Sequence, residues 1–402
     1  MANINMSNDN NFINTTNFFT LLHSNRSLDD FIHLLRQKYH LYVRYNEESE
    51  LYLIKYDRKK SKMGEALVKE CRGIVLTKDK RIICFPPEKS ITIERMKDIV
   101  KNDIENVRFE EHVDGTMINV FYNPIKERWE KSTRSRIGAN CSWLCKETFA
   151  TLFNEASNHL DLSILDKNLC YTFVLVHPKN RIVVKYTSSF ISLVSVRRIH
   201  QNGYENISLE EVYHTLQEKG VTVKIPKVYQ FQSIDEMKEY VSKQDSRIQG
   251  IIVKYGFYRA KLRNQEYDFL KKLKGNTPHL MELYLRLRKD MKVKPFLKHF
   301  GEYKKPFNEF REEIHQITYR IYNWYVNVFI NKYCDKNEIP YEFKPHCGNI
   351  HKMYIDGVIN NRKIRITLNK VISYVNTLPI YTLIFIRNKY VERINTCISS
   401  GY

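Results

Sequence analysis

Between residues 41 and 267 the chain is punctuated by short runs rich in β-branched and aromatic side chains, at 51–56, 73–76, 82–85, 117–122, 181–186 and 250–255. Runs of this composition, most of them bounded by turn residues, read as strands. Helical patterns interrupt them at 143–154 and 208–219. One precedes them at 27–38, where Leu28, Phe31, Ile32, Leu34 and Leu35 recur at helical spacing behind Ser27, an N-cap residue. Beyond Tyr267 the period changes: 280–289, 307–332 and 365–375 read as helices, while 381–386 is a short apolar run of the buried-strand type. A strand-rich body followed by a helix-rich one predicts an α+β chain. We expect a tail over 1–17, a domain of antiparallel sheets over 18–270 and a helical domain over 271–402.

Charge marks the same boundary. The whole chain carries a formal net charge of +20. Residues 271–402 hold 24 Lys and Arg against 11 Asp and Glu, a net +13. Such a balance favours a polyanionic partner. No apolar run reaches membrane-spanning length. The first seventeen residues are rich in Asn and Ser and lack the apolar core of a signal peptide, so an intracellular setting is expected. Cys141 and Cys145 are four apart, as on one helix face, and His346, Cys347 and His351 cluster. Neither group has paired zinc-ligand spacing, so the thiols read as reduced and no metal site is expected.

Several separated motifs then fall in one order: Cys71-Arg72-Gly73-Ile74-Val75-Leu76, Pro87-Glu88-Lys89, His112-Val-Asp114-Gly115-Thr116, Ser132-Thr133-Arg134, Phe173-Val174-Leu175-Val176-His177-Pro178-Lys179-Asn180-Arg181-Ile182-Val183, Gln249-Gly250-Ile251, and Lys261-Leu262-Arg263 with Tyr267. Over roughly residues 40–270 this set resembles the RNA ligases of the T-even phage type, within the covalent nucleotidyltransferase superfamily. The resemblance implies a ligase adenylation-type fold, ATP and magnesium as cofactors of an active enzyme, and RNA as partner. It also implies a cytoplasmic or viral replication compartment. In such enzymes a lysine amine attacks the α-phosphate of ATP, carboxylates hold the metal, and basic residues stabilise the phosphates.

Carried across residue by residue, the resemblance gives Arg72, Lys89, Asp114, Gly115, Arg134, Lys261, Arg263 and Tyr267 as nucleotide-binding positions. Three positions depart. His112 stands where the family has its nucleophilic lysine, and Val174 and Gln249 stand where it has glutamates. Valine coordinates nothing, and a glutamine amide is a neutral ligand at best. The pattern predicts a ligase-like protein that binds RNA, RNA ends or a nucleotide such as ATP or AMP without ligation. The alternative is an active RNA ligase working through His112, whose imidazole can form a phosphoramidate but is shorter than lysine by about two bonds. A third reading, a vestigial pocket with a purely structural role, fits less well because the cations persist.

Overall fold

The computed structural model describes residues 13–360 and 364–399, with side chains as far as 393. The chain divides into two compact units, Met1–Lys271 and Lys272–Tyr402. The first is built on three antiparallel sheets. Strands β1 (Tyr42–Asn46), β2 (Leu51–Lys55), β3 (Arg72–Leu76) and β4 (Ile82–Cys84) form one in simple succession. The remaining strands are β5 (Arg108–Glu111), β6 (Thr116–Asn123), β7 (Arg128–Ser132), β8 (Leu169–Val176), β9 (Phe190–His200), β10 (Gly203–Ile207), β11 (Val228–Tyr229), β12 (Gly250–Tyr255) and β13 (Tyr258–Arg263). They make a five-stranded sheet in the order β10-β9-β8-β6-β7 and a four-stranded sheet in the order β11-β5-β12-β13. With helices packed against these sheets, the class is α+β.

The two-residue period of a strand decides what each sheet does with its faces. In the five-stranded sheet Ile118, Val120, Tyr171, Phe173, Leu175 and Leu193 form a core with helices Phe149–Ala156 and Leu209–Glu218. The opposite face of the same strands carries Asn119, Phe121, Cys170, Thr172, Val174 and Ser192. Phe121 and Cys170 from that face pack on Leu53, Val75 and Cys84 of the first sheet. Asn119 and Thr172, both buried, bond to each other at 3.1 Å.

Several sequence expectations change on contact with the structure. The tail expected over residues 1–12 lies outside the described residues. Residues 13–17 join the first unit. Asn14 exchanges backbone hydrogen bonds of 2.8 and 3.2 Å with Tyr204. Asn17 opens helix Asn17–Ser24, whose Phe18, Phe19 and Leu22 are buried. That helix lacks a capping side chain of its own, and the Glu70 carboxylate supplies it, accepting from the Phe18 amide at 2.8 Å.

Residues 181–186 form no strand, because the amides of Val183 and Val184 donate to the Asp114 carboxylate instead of to a ladder. The helix expected from 143 starts only at Phe149, where Thr148 accepts from the Thr151 amide. Cys141 and Cys145 therefore precede it and share no helix face. The run 381–386 lies inside helix Ile380–Ser399; Leu383 and Ile386 are buried while Tyr381 and Phe385 are exposed, which is helical periodicity.

The second unit is helical. Helix Lys304–Tyr325 buries Phe307, Ile314, Ile317 and Ile321 and packs against Leu280–Lys289, Lys344–Ile359, Leu368–Thr377 and Ile380–Ser399. A π-turn, Val326–Ile330, ends it. Phe296, Phe300 and Phe307 stack as an aromatic cluster inside this unit.

Candidate functional site

The third sheet sets up the site by alternation. Phe109, Ile251, Val253 and Ala260 point to one face and form a core with helices Ile93–Val100 and Ile234–Ser242. The intervening residues occupy the other face. On β5 these are Arg108 and Glu110, continued by His112; on β12, Ile252 and Lys254; on β13, Arg259, Lys261 and Arg263. That face looks toward the five-stranded sheet, since the Lys254 ammonium donates to the Val194 carbonyl of β9 at 3.3 Å. The two sheets meet at this contact, and the cation-bearing face beside it is the candidate cleft; Val174 and Ser192 pair on the face of the five-stranded sheet opposite its core.

Two glycines make the cleft possible. The His112 amide donates to the Gly250 carbonyl at 3.0 Å, and Gly250 pairs with Arg263. Between His112 and Arg263 the middle strand therefore presents no side chain. Gly250 has φ +143°, and a Cβ there would meet the Leu262 carbonyl oxygen at 2.0 Å. Gly115 opens β6 against β8; a Cβ on it would meet the Leu175 oxygen at 2.3 Å and a Val174 methyl at 2.6 Å. Both positions demand glycine for close approach of backbones.

The electrostatics are those of crowded cations. Burial, then the fields of Arg259, Lys261, Arg263 and Lys271, hold the His112 imidazole well below its usual range. It is neutral at pH 7. Burial first, and then Arg263, Arg259 and Arg72, bring the Lys261 ammonium down to about 7. Arg259 is brought down to about 10 by burial and by Arg72. Burial lowers Arg72 and Lys271 as well. Removing charged groups from water favours their neutral forms, and like charges add to that.

The sequence-assigned residues divide accordingly. Arg72, Lys261 and Arg263 share one electrostatic neighbourhood with His112. Arg134 joins them through Arg72; its guanidinium sits 5.3 Å from the Tyr56 ring centroid, and its backbone packs on Gly73. Asp114 and Tyr267 face inward instead. One Asp114 oxygen accepts from the amides of Val183 and Val184, and the other accepts from the Tyr267 hydroxyl at 2.5 Å. Both are tied into the fold, and the Tyr267 hydroxyl also accepts from the Lys271 ammonium at 3.4 Å. Asn264, which accepts from the Tyr267 amide at 3.0 Å, fixes the start of the helix that carries the tyrosine. Lys89 is held through its backbone, its amide donating to the Lys69 carbonyl. Its ammonium is not among the charges that dominate at His112 or Lys261.

Sequence reasoning missed Arg259, Lys271, Glu88 and Arg197. Arg259 was legible: it occupies the same parity as Lys261 and Arg263 in Arg-Ala-Lys-Leu-Arg. Lys271 lies one helical turn beyond Tyr267. The Glu88–Arg197 pair had no local signal, being 109 residues apart; it is bidentate, at 3.0 and 3.1 Å, with Arg197 over the Tyr204 ring.

Three carboxylates around the cleft are spoken for. Asp114 is committed as described, Glu88 to Arg197, and Glu110 to Arg108 and Lys254. Gln249 is buried, and its carbonyl accepts from the Asn264 amide. Among the described residues no three His, Cys, Asp or Glu side chains gather as a metal site. This donor set does not fit the resident divalent cation that an adenylating ligase requires.

The fold and cleft define an α+β protein of antiparallel sheets with a cation-lined groove. No family model matches the chain. It resembles RNA ligases: an RNA ligase of Rhodothermus phage RM378 is 24% identical over 306 residues, a match that spans 60% of this chain and 69% of the phage protein. Among solved structures, a candidate ATP-dependent DNA ligase from Aquifex aeolicus aligns with a TM-score of 0.43 and 16% identity, over 72% of this chain and 80% of that one. An archaeal ATP-dependent RNA ligase aligns at 0.42 and 14%, over 75% and 83%. Among the described residues no helix is long and apolar enough to cross a membrane.

Proposed function

We propose that this protein is an RNA ligase-like binding protein. Its cleft takes up RNA ends or a nucleotide, and it neither forms a covalent adenylate nor ligates. The observation that carries the reading is a dissociation within one site. The cations at 72, 134, 261 and 263 remain gathered, while position 112 holds a neutral imidazole and positions 174 and 249 hold no carboxylate. Binding phosphates needs only the cations. Adenylation needs the amine and the metal carboxylates as well. The basic helical unit, with 23 Lys and Arg against 11 Asp and Glu over residues 272–402, a net +12, supplies further contacts to RNA backbone.

Incubation with α-labelled ATP and magnesium, followed by denaturing electrophoresis, tests the chemical half. No label should stay on the wild-type chain. Label retained by wild type and lost in His112→Ala would instead establish histidine as the nucleophile. One observation favours that second reading: the imidazole is held in its neutral, nucleophilic form. Equilibrium binding of a 5′-phosphorylated oligoribonucleotide tests the other half, and absence of binding at low salt would overturn it.

A further inference from the structure

Resting on that reading, we propose that the cleft binds the polyphosphate of its ligand without a divalent cation, with Arg259, Lys261 and Arg263 supplying the positive charge. The shared chemistry is a di- or triphosphate, whether on a free nucleotide or on the 5′ end of an RNA.

The alternation of β13 is the first support. Three cations at consecutive same-face positions line β13, and the last of them, Arg263, lies beside the opening that Gly250 leaves next to His112. The second support is the mismatch of charge. Arg72 and Lys271 add to this row, while Glu88 and Glu110 are matched to other cations, Asp114 is turned to backbone amides, and Asp268 offsets one charge at Arg263. The excess is positive, and no carboxylate at 174 or 249 would hold a metal between these cations and a phosphate. The third is an unmet donor. The Arg263 Nε is buried without a hydrogen-bond partner, although its Nη1 reaches Asp268 at 3.3 Å. A buried guanidinium N–H left unmet is costly, and an anionic oxygen meets it. On the five-stranded sheet Ser192, paired with Val174 and 1% exposed, also carries a hydroxyl without a partner.

The same crowding makes binding take up a proton. Lys261 titrates near neutrality because it is buried and because Arg263 and Arg259 on its own strand, Arg72 from β3 and Arg58 from the loop after β2 surround it. Glu110 and Glu88 offset this field at Arg259. A polyphosphate reverses the local potential and favours the ammonium. The free amine sits at about 7 and the bound amine higher, so affinity is greatest below that value and falls as pH rises through it.

Calorimetric titration of the full-length protein decides the matter. The probes are ATP, inorganic tripolyphosphate, and 5′-triphosphate and 5′-hydroxyl forms of one oligoribonucleotide, each in excess EDTA and in excess magnesium. The polyphosphates should bind at least as tightly in EDTA as in magnesium. Affinity should fall by up to about tenfold per pH unit above neutrality, the slope of one linked proton. Lys261→Arg should bind but lose that slope, because arginine stays charged; the ligand's own titration cancels in the comparison. Lys261→Met should weaken binding tenfold or more at pH 7. ATP and tripolyphosphate binding with a 5′-indifferent RNA marks the free nucleotide as ligand, whereas preference for the 5′-triphosphate RNA marks the RNA end. Binding that requires magnesium, or equal pH slopes in wild type and Lys261→Arg, overturns the inference while leaving the binding reading intact. Failure of every probe in every condition overturns both.

Discussion

Lys261→Met should make the first unit more stable. The lysine is an ammonium lowered from its ordinary 10.5 to about 7 by burial and by neighbouring arginines. In the unfolded chain it regains its ordinary value. Between those two values the unfolded state binds more protons than the folded one, so the lysine costs stability there, and stability rises with pH across that window. At ~1.4 kcal/mol per pKa unit the cost at pH 7 is about 4 kcal/mol. Solvent at the cleft screens part of it, leaving roughly 2 kcal/mol. Methionine keeps the straight chain and removes the charge. For a domain of this size that gain raises Tm by roughly 4–8 °C. Scanning calorimetry at pH 7 and pH 9 reads it. Wild type should gain stability between the two pH values, and the gap to the variant should narrow. A Tm at or below that of wild type, with an unchanged pH slope, would refute the account of the cleft as a set of mutually repelling cations.

Other outcomes follow from the same geometry. Gly250→Ala should cost about 3 kcal/mol or more, read as a lowered Tm, since the side chain meets both a left-handed φ and a carbonyl oxygen at 2.0 Å. Tyr267→Phe should cost about 1.5–3 kcal/mol by removing a hydrogen bond to a buried carboxylate, and Asp114→Ala should cost more, because two amides lose their acceptor as well. RNA affinity should fall linearly in log–log plots against salt, and the slope should lessen by about one for each phosphate-contacting cation removed. His112→Lys alone should leave adenylation far below that of an active ligase, whereas adding Val174→Glu and Gln249→Glu should raise it; equal activity in the single and triple variants would show that the carboxylates are not what is missing.

What the sequence made legible followed the strength of its local signal. Strands such as 250–255 and the helix behind Ser27 stand out because period, composition and cap agree, and Ser27 does accept from the Asp30 amide. The run 181–186 looked equally strand-like. Its backbone donors, though, are claimed by a carboxylate about seventy positions earlier, which no window on the sequence contains. Likewise 381–386 is apolar enough for a strand, but its length is set by the helix that surrounds it. Within the site, the row Arg259, Lys261 and Arg263 was readable from alternation alone. The inward turn of Asp114 and Tyr267 was not, because it depends on which of two faces the chain presents.

That inward turn bears on how such chains are recognised. The Asp114 carboxylate fastens together the start of β6, the segment through Val183 and Val184, and the helix bearing Tyr267. Gly115, beside it, is required by the approach of β8. The Asp-Gly pair is therefore a keystone of the architecture, needed whether or not any phosphate is ever transferred. A chain with histidine two positions earlier has every reason to keep the pair. Finding Asp-Gly in a distant sequence is thus testimony about its scaffold; testimony about its chemistry has to come from position 112.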